Sequence, residues 1–245
     1  MFRRLKTARG LVLGTAIAAL GTLAGAQNAP RTPFEDTMAQ RMQACTACHG
    51  AQGRAAPDGY YPRIAGKPAG YLYNQLLNFR DGRRHYRLMA QMVDPLTDSY
   101  LWEIAQHFAA LDLPYDAPAP VAVSPADLAR GQRLAQQGDG SLRIPACASC
   151  HGAQLTGMLP ATPGLLGLPR DYLNSQLGAW RTGQRRAHAP DCMAQVAQQL
   201  TQADVSAVSG WLATQVVPPH AKPAAAPSQA LPIACGGAAA PGAKP

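Results

Sequence analysis

The chain has 245 residues, 47% of them hydrophobic and 15% charged, with six cysteines and a formal charge of +8. That length suffices for two small domains, each burying a modest core. Four of the positive charges, Arg3, Arg4, Lys6 and Arg9, lie in the first ten residues, so little net charge remains on the rest and a nucleic-acid partner is set aside.

The N-terminus has the three parts of a secretory signal: those basic residues, an apolar run from Leu11 to Ala24, and small residues at Ala24-Gly25-Ala26. Cleavage is expected after Ala26, making residues 1–26 a signal peptide. The alternative, an uncleaved anchor, is disfavoured because the run is short for a span and is broken by Gly14 and Gly21. Nothing downstream is long and apolar enough to cross a bilayer, so no transmembrane span is expected in the mature chain.

Four of the six cysteines fall in two C-x-x-C-H segments, Cys45-Thr46-Ala47-Cys48-His49 and Cys147-Ala148-Ser149-Cys150-His151, spaced 102 residues apart. In this pattern two thiols add across the vinyl groups of one haem, and the adjacent histidine is held beneath the iron. A dithiol redox motif or half a zinc site is the alternative for a single copy, and duplication behind an export signal argues against both. Downstream of each, Pro62, Gly66, Pro68, Tyr71, Gln75, Leu76, Arg80 and Gly82 match Pro163, Gly167, Pro169, Tyr172, Gln176, Leu177, Arg181 and Gly183 at a spacing of 101. Met89-Ala90-Gln91 before Leu96-Thr97 recurs as Met193-Ala194-Gln195 before Leu200-Thr201. Three matching blocks in one order indicate a duplicated domain.

The expected fold is all-α. Leu101, Ile104, Ala105, Phe108 and Leu111 share a helix face behind the cap Thr97, and Val205, Val208 and Leu212 share another behind Thr201 and Asp204. Ser124-Pro125-Ala126-Asp127 opens a further helix, and no segment alternates as a strand. The predicted organisation is a first domain at 27–116, a proline-stiffened linker at 117–124, a second domain at 125–215, and a Pro/Ala-rich tail at 216–245 expected to be mostly disordered.

The sixth iron ligand separates electron carriage from catalysis. Met89 and Met193 are the candidates, because both stand seven residues before the leucine that precedes the capped final helix. Met92 competes in the first copy, but its counterpart is Val196, which cannot ligate iron. His85 and His188 are the bis-histidine alternative, one residue out of the methionine register. His107 and His220 have no counterpart and are read as surface residues. Pro62 and Pro163 are candidates to offer a carbonyl to the proximal histidines, a plain rigid turn being the other reading.

Over roughly residues 36–215 this pattern resembles the cytochrome c4 family of exported bacterial proteins built from two class I cytochrome c domains. The resemblance rests on both C-x-x-C-H-G motifs, the Pro-x-x-x-Gly segments at Pro62 and Pro163 with the Tyr-Leu and Gln-Leu pairs after them, and the paired methionines. It implies two tandem domains, each a few helices around a covalent haem held by Cys45 and Cys48 or Cys147 and Cys150, with His49 and Met89 or His151 and Met193 as axial ligands. It further implies a periplasmic shuttle, with a quinol-oxidising complex or dehydrogenase as donor and a terminal oxidase as acceptor, and haems that face each other with their propionates close together. Arg80 and Arg181 are the expected propionate neighbours, unless they are only solvated helix-end residues.

Cys192 and Cys235 are left over, and in an oxidising compartment such a pair is expected to bond rather than remain as free thiols. A carrier without chemistry of its own is the leading function. The others are a cytochrome subunit of a periplasmic dehydrogenase complex and a haem enzyme, such as a peroxidase, with Cys192 or an open iron at its active site.

Overall fold

The computed structural model describes residues 35–239 apart from 57, 220 and 227–229, so the expected signal peptide lies outside the described residues. Ten α-helices are described: α1 (Met38–Arg41), α2 (Gln43–His49), α3 (Ala69–Arg80), α4 (Arg87–Val93), α5 (Asp98–Ala109), α6 (Pro125–Gln136), α7 (Cys147–His151), α8 (Arg170–Arg181), α9 (Cys192–Gln199) and α10 (Gln202–Thr214). Their starts are set by side-chain caps where the sequence suggests them. Thr97 accepts from the Tyr100 amide at 3.3 Å and Ser124 from that of Asp127 at 3.1 Å. Thr201 and Asp204 close a reciprocal capping box at the head of α10. The one pair of strands among the described residues is antiparallel, β1 (Gly157–Met158) and β2 (Thr162–Pro163). Two residues are too few for alternation to be visible in sequence.

Each half of the chain has its own core. In the first, Leu101, Ile104, Ala105 and Phe108 of α5 pack against Leu72 and Phe79 of α3. In the second, Leu134 of α6 and Leu173 of α8 enclose Val208, Trp211 and Leu212 of α10. Because α6 and α8 lie on different sides of α10, its small residues are buried along with the expected face, Ala207, Ser209 and Gly210 included. Gly131 permits the approach of α6: a Cβ there would overlap the Ala207 carbonyl oxygen and stand 2.7 Å from Trp211 Cβ.

The cores lie on either side of the irregular stretch at 113–124, whose start is pinned by the buried Arg63. That guanidinium donates to the carbonyls of Leu113 and Pro114 and lies 3.8 Å from the Tyr115 ring centre. The halves meet along a short antiparallel contact with near two-fold symmetry: the His85 amide donates to Gln184 O at 2.8 Å and the Arg186 amide to Arg83 O at 2.7 Å. The described residues from 37 to 239 accordingly form one compact unit.

The tail corrects an expectation. Its described residues are anchored rather than free of structure. Ala224 exchanges two backbone hydrogen bonds with Gly157 and Leu159, each 2.8 Å, and Thr156 donates to Lys222 O. Further on, Cys235 bonds to Cys192, the Gly236 amide donates to Pro190 O, and Gly237 O accepts from Asn74 of the first half at 3.1 Å. The tail has no core of its own and lies instead on surfaces the two halves supply.

Gly131→Ala is expected to lower stability by roughly 1–3 kcal/mol through overpacking between α6 and α10. Gly140→Ala, at a site with nothing within 4 Å, should leave it within error, both read by thermal unfolding of the holoprotein.

Candidate functional site

Both C-x-x-C-H segments form single helical turns, which bring Cys45 and Cys48, and likewise Cys147 and Cys150, onto one face with the histidine closing the turn. His49 is 9% exposed and His151 7%. Their Nδ1–H groups donate to Pro62 O at 2.8 Å and Pro163 O at 2.7 Å, so the prolines do supply the carbonyls. Burial pushes both imidazoles below their ordinary range, the carbonyl bonds pull back, and a nearby cation, Arg84 for His49 and Lys67 for His151, lowers them further. A neutral ring fixed through Nδ1 keeps its Nε2 lone pair for a metal.

The thiols do not resemble those of a dithiol redox site, where a lowered pKa supplies the thiolate. Burial raises Cys45, Cys150 and Cys147, the last to about 11. Nor do three or more His, Cys, Asp or Glu side chains gather anywhere among the described residues to hold a lone metal ion.

Both motifs open into one continuous cavity of about 1030 Å³. That is at the upper end of the ~300–1,000 Å³ usual for a single small-molecule site. Its walls are mostly apolar, with Leu72 and Phe108 in the first half and Leu173 and Leu212 in the second. Met89 on α4 and Met193 on α9 both line it, half-buried. Met92, one turn on from Met89, also reaches it but is 48% exposed. His85 and His188 lie on its rim, where His188 Nε2 is 3.4 Å from the Arg83 guanidinium. His107 stacks edge-on against Phe108 away from the cavity, and His220 lies outside the described residues.

The arginines facing the cavity are not the expected ones. Arg80 is tied to Asp98 at 2.7 Å and to Asp81 at 3.3 Å, while Arg181 is exposed at the end of α8. In their place Arg84 and Arg185, also 101 residues apart, cross the junction. Arg84 donates to Gln75, Gln176 and Tyr172, and Arg185 to Gln176, Gln75 and Tyr71. Neither has a carboxylate within salt-bridge distance among the described residues. Burial disfavours the charge on Arg185 and the adjacent Arg84 adds to this. Burial alone would raise the Tyr172 phenol, but the two guanidiniums outweigh it and hold it below its ordinary range. Beside them the buried Trp180 Nε1 lines the cavity with no acceptor.

The uncompensated Arg84 and Arg185 and an orphaned donor on an apolar cavity fit a large planar ligand with an anionic edge, and the paired thiols beside a neutral imidazole fit its covalent attachment. Comparison with known proteins agrees. The Cytochrome c family profile matches residues 128–215. A thiosulfate dehydrogenase electron acceptor from Thiomonas intermedia (strain K12) is 39% identical over 175 residues, 71% of this chain and 80% of that protein. Cytochrome c4 from Pseudomonas aeruginosa is 31% identical over 170 residues, 69% of this chain and 82% of that one. The chain belongs to the cytochrome c4 family. The crystal structure of reduced cytochrome c4 from Pseudomonas stutzeri superposes with a TM-score of 0.61 at 30% identity, covering 71% of this chain and 94% of that one. This cytochrome therefore carries two covalent haem c groups on an all-α class I fold.

A reading of one domain at a time could not select Arg84 and Arg185, because their partners lie in the opposite half. The available signal was their own recurrence at the repeat spacing, two residues after Gly82 and Gly183.

The Cys192–Cys235 bond closes a 43-residue separation and starts α9 one residue before Met193. Replacing both cysteines by serine is expected to cost about 2–4 kcal/mol in denaturant unfolding while haem content stays at two per chain.

Proposed function

We propose that this cytochrome is an exported, periplasmic single-electron carrier, with Cys45, Cys48, Cys147 and Cys150 as haem attachment points and His49, Met89, His151 and Met193 as axial ligands. The observation that carries this reading is the shared cavity, which each half lines with a buried carbonyl-fixed histidine and a methionine at equivalent places. The haem iron supplies the one-electron couple. The chain's own residues do the rest. Pro62 and Pro163 hold each imidazole in one tautomer and one orientation. The thioethers of Met89 and Met193 offer soft neutral donors from short helices braced by α3 and α8. Arg84, Arg185 and Trp180 take the propionates at the junction, and the apolar walls exclude water, which keeps reorganisation small on electron exchange.

The boundaries proposed for the two haem domains are 27–116 and 125–215, with 117–124 as linker. A carrier without catalytic chemistry is favoured over a haem enzyme because both halves present a sixth donor and Cys192 is consumed by its bond to Cys235. No helix among the described residues is long and apolar enough to cross a membrane, consistent with a diffusible shuttle. The similarity to a thiosulfate dehydrogenase electron acceptor favours a sulfur-oxyanion dehydrogenase as donor, with a terminal oxidase downstream. Work within a stable dehydrogenase complex is the second reading, supported by the same relative.

The methionine–iron charge-transfer band at the far-red end of the ferric spectrum tests the ligands. Met89→Ala and Met193→Ala are each expected to remove about half of it with both haems retained, and Met92→Ala to leave it intact. A band halved by Met92→Ala would reassign the first iron. Reduction of the holoprotein by a thiosulfate dehydrogenase with thiosulfate, followed by stopped-flow absorbance, tests the donor.

A further inference from the structure

Lys67 stands two residues before α3, yet it is only 5% exposed and points out of its own half. Its Nζ donates to Gly164 O at 3.1 Å. Gly164 directly follows Pro163, whose carbonyl accepts from His151 Nδ1. The ammonium of the first half thus sits beside the proximal side of the second haem site. No carboxylate is paired with it among the described residues. Burial and the neighbouring Arg63 lower its pKa to about 8, which still leaves it mostly protonated at neutral pH.

We propose that Lys67 is a cross-domain tuning residue that raises the reduction potential of the second haem. The inference rests on the reading of His151 as that haem's proximal ligand. Held one residue from the carbonyl that fixes His151, the ammonium acts against any further positive charge there. By the same Coulombic sign it favours adding an electron to an iron bound there, and the dry surroundings weaken the screening. Drawing electron density from the proximal imidazole acts in the same direction, since a less basic ligand stabilises the ferric state less.

The effect runs one way. The residue equivalent to Lys67 is Leu168, which is apolar and packs into the second core, so the first haem receives no reciprocal charge from that position. The cation acting on His49 is instead Arg84, which shares the junction with Arg185, Gln75, Gln176 and Tyr172. Lys67 has one carbonyl. Its charge is not part of the symmetric set and is the more strongly felt for it.

Spectroelectrochemical titration of the full-length holoprotein tests this, with Met89→His moving the first haem's wave and so identifying it. Lys67→Gln keeps a hydrogen-bond donor and removes the charge. It is expected to shift the second haem's wave to lower potential and leave the first where it was, while Lys67→Arg keeps the wild-type value. Lys67→Met, close to Leu168 in polarity, is read alongside, so that a folding defect in one variant does not decide the matter. A second wave unmoved by loss of the charge, or two waves shifted together, overturns the role of Lys67 while the carrier reading stands. A wild-type protein without two six-coordinate His/Met centres, visible in its ferric spectrum before any substitution at 67, overturns both.

Discussion

Arg84 and Arg185 lie against each other's half with no carboxylate in salt-bridge distance of either among the described residues, and the cavity between the halves is arranged around that uncompensated charge. A buried cation without a partner is strongly destabilising, so this junction is favourable only when an anion completes it. The two glutamines and two tyrosines accept hydrogen bonds but bring no negative charge, and stacking on Phe79 and Trp180 spreads the cation over a ring face without neutralising it. The haem propionates are the anions that such a cytochrome supplies. On the proposed placement of the propionates, haem binding would favour docking of the halves, and the cavity that each half would expose alone becomes a common interior.

Around this symmetric centre the two halves differ in ways that give them different work. Met92 is exposed where the second half has Val196, and Leu88 is exposed where the second half has Cys192, tied to the tail. The first site keeps an open apolar rim with Tyr60 beside it, and the second has the start of its methionine helix tied to the tail at Cys235 and Gly236. Lys67 adds the third difference, a charge given by the first half to the second. Duplication supplied two similar electron sites, and a few substitutions outside the repeated motifs separated their exposure and their electrostatics.

What was legible in the sequence follows from the range of the interactions involved. The caps Thr97, Ser124 and Thr201, the apolar face of α5 and the C-x-x-C-H turns depend on residues three to five positions apart, and each was readable from spacing alone. Pro62 and Pro163 as carbonyl acceptors for the histidine rings required only that a loop return over 13 and 12 residues, and the repeat singled them out. Arg84, Arg185 and Lys67 depend on which surfaces of the two halves meet, over separations of about a hundred residues that no local pattern encodes. Arg80 and Arg181 lie inside the most regular repeat block, yet Arg80 is turned to Asp98 and the Leu96 carbonyl and Arg181 is exposed at the end of α8.

The tail shows where a composition argument stops. A Pro/Ala/Gly segment cannot bury enough surface to order itself, and that physical statement still holds. It does not follow that the segment stays unordered when other parts of the molecule provide its partners. The prolines between 218 and 232 reduce the freedom lost on docking, since their φ is already restricted in the unfolded chain. Three spaced anchors then suffice: two backbone hydrogen bonds at Ala224, a covalent bond at Cys235, and the Gly237 carbonyl on Asn74. The last two are only two residues apart in sequence, yet one fastens to the helix of Met193 and the other to α3 of the first half. A segment without a core of its own thereby links the helix of Met193 in the second half to α3 in the wall of the first.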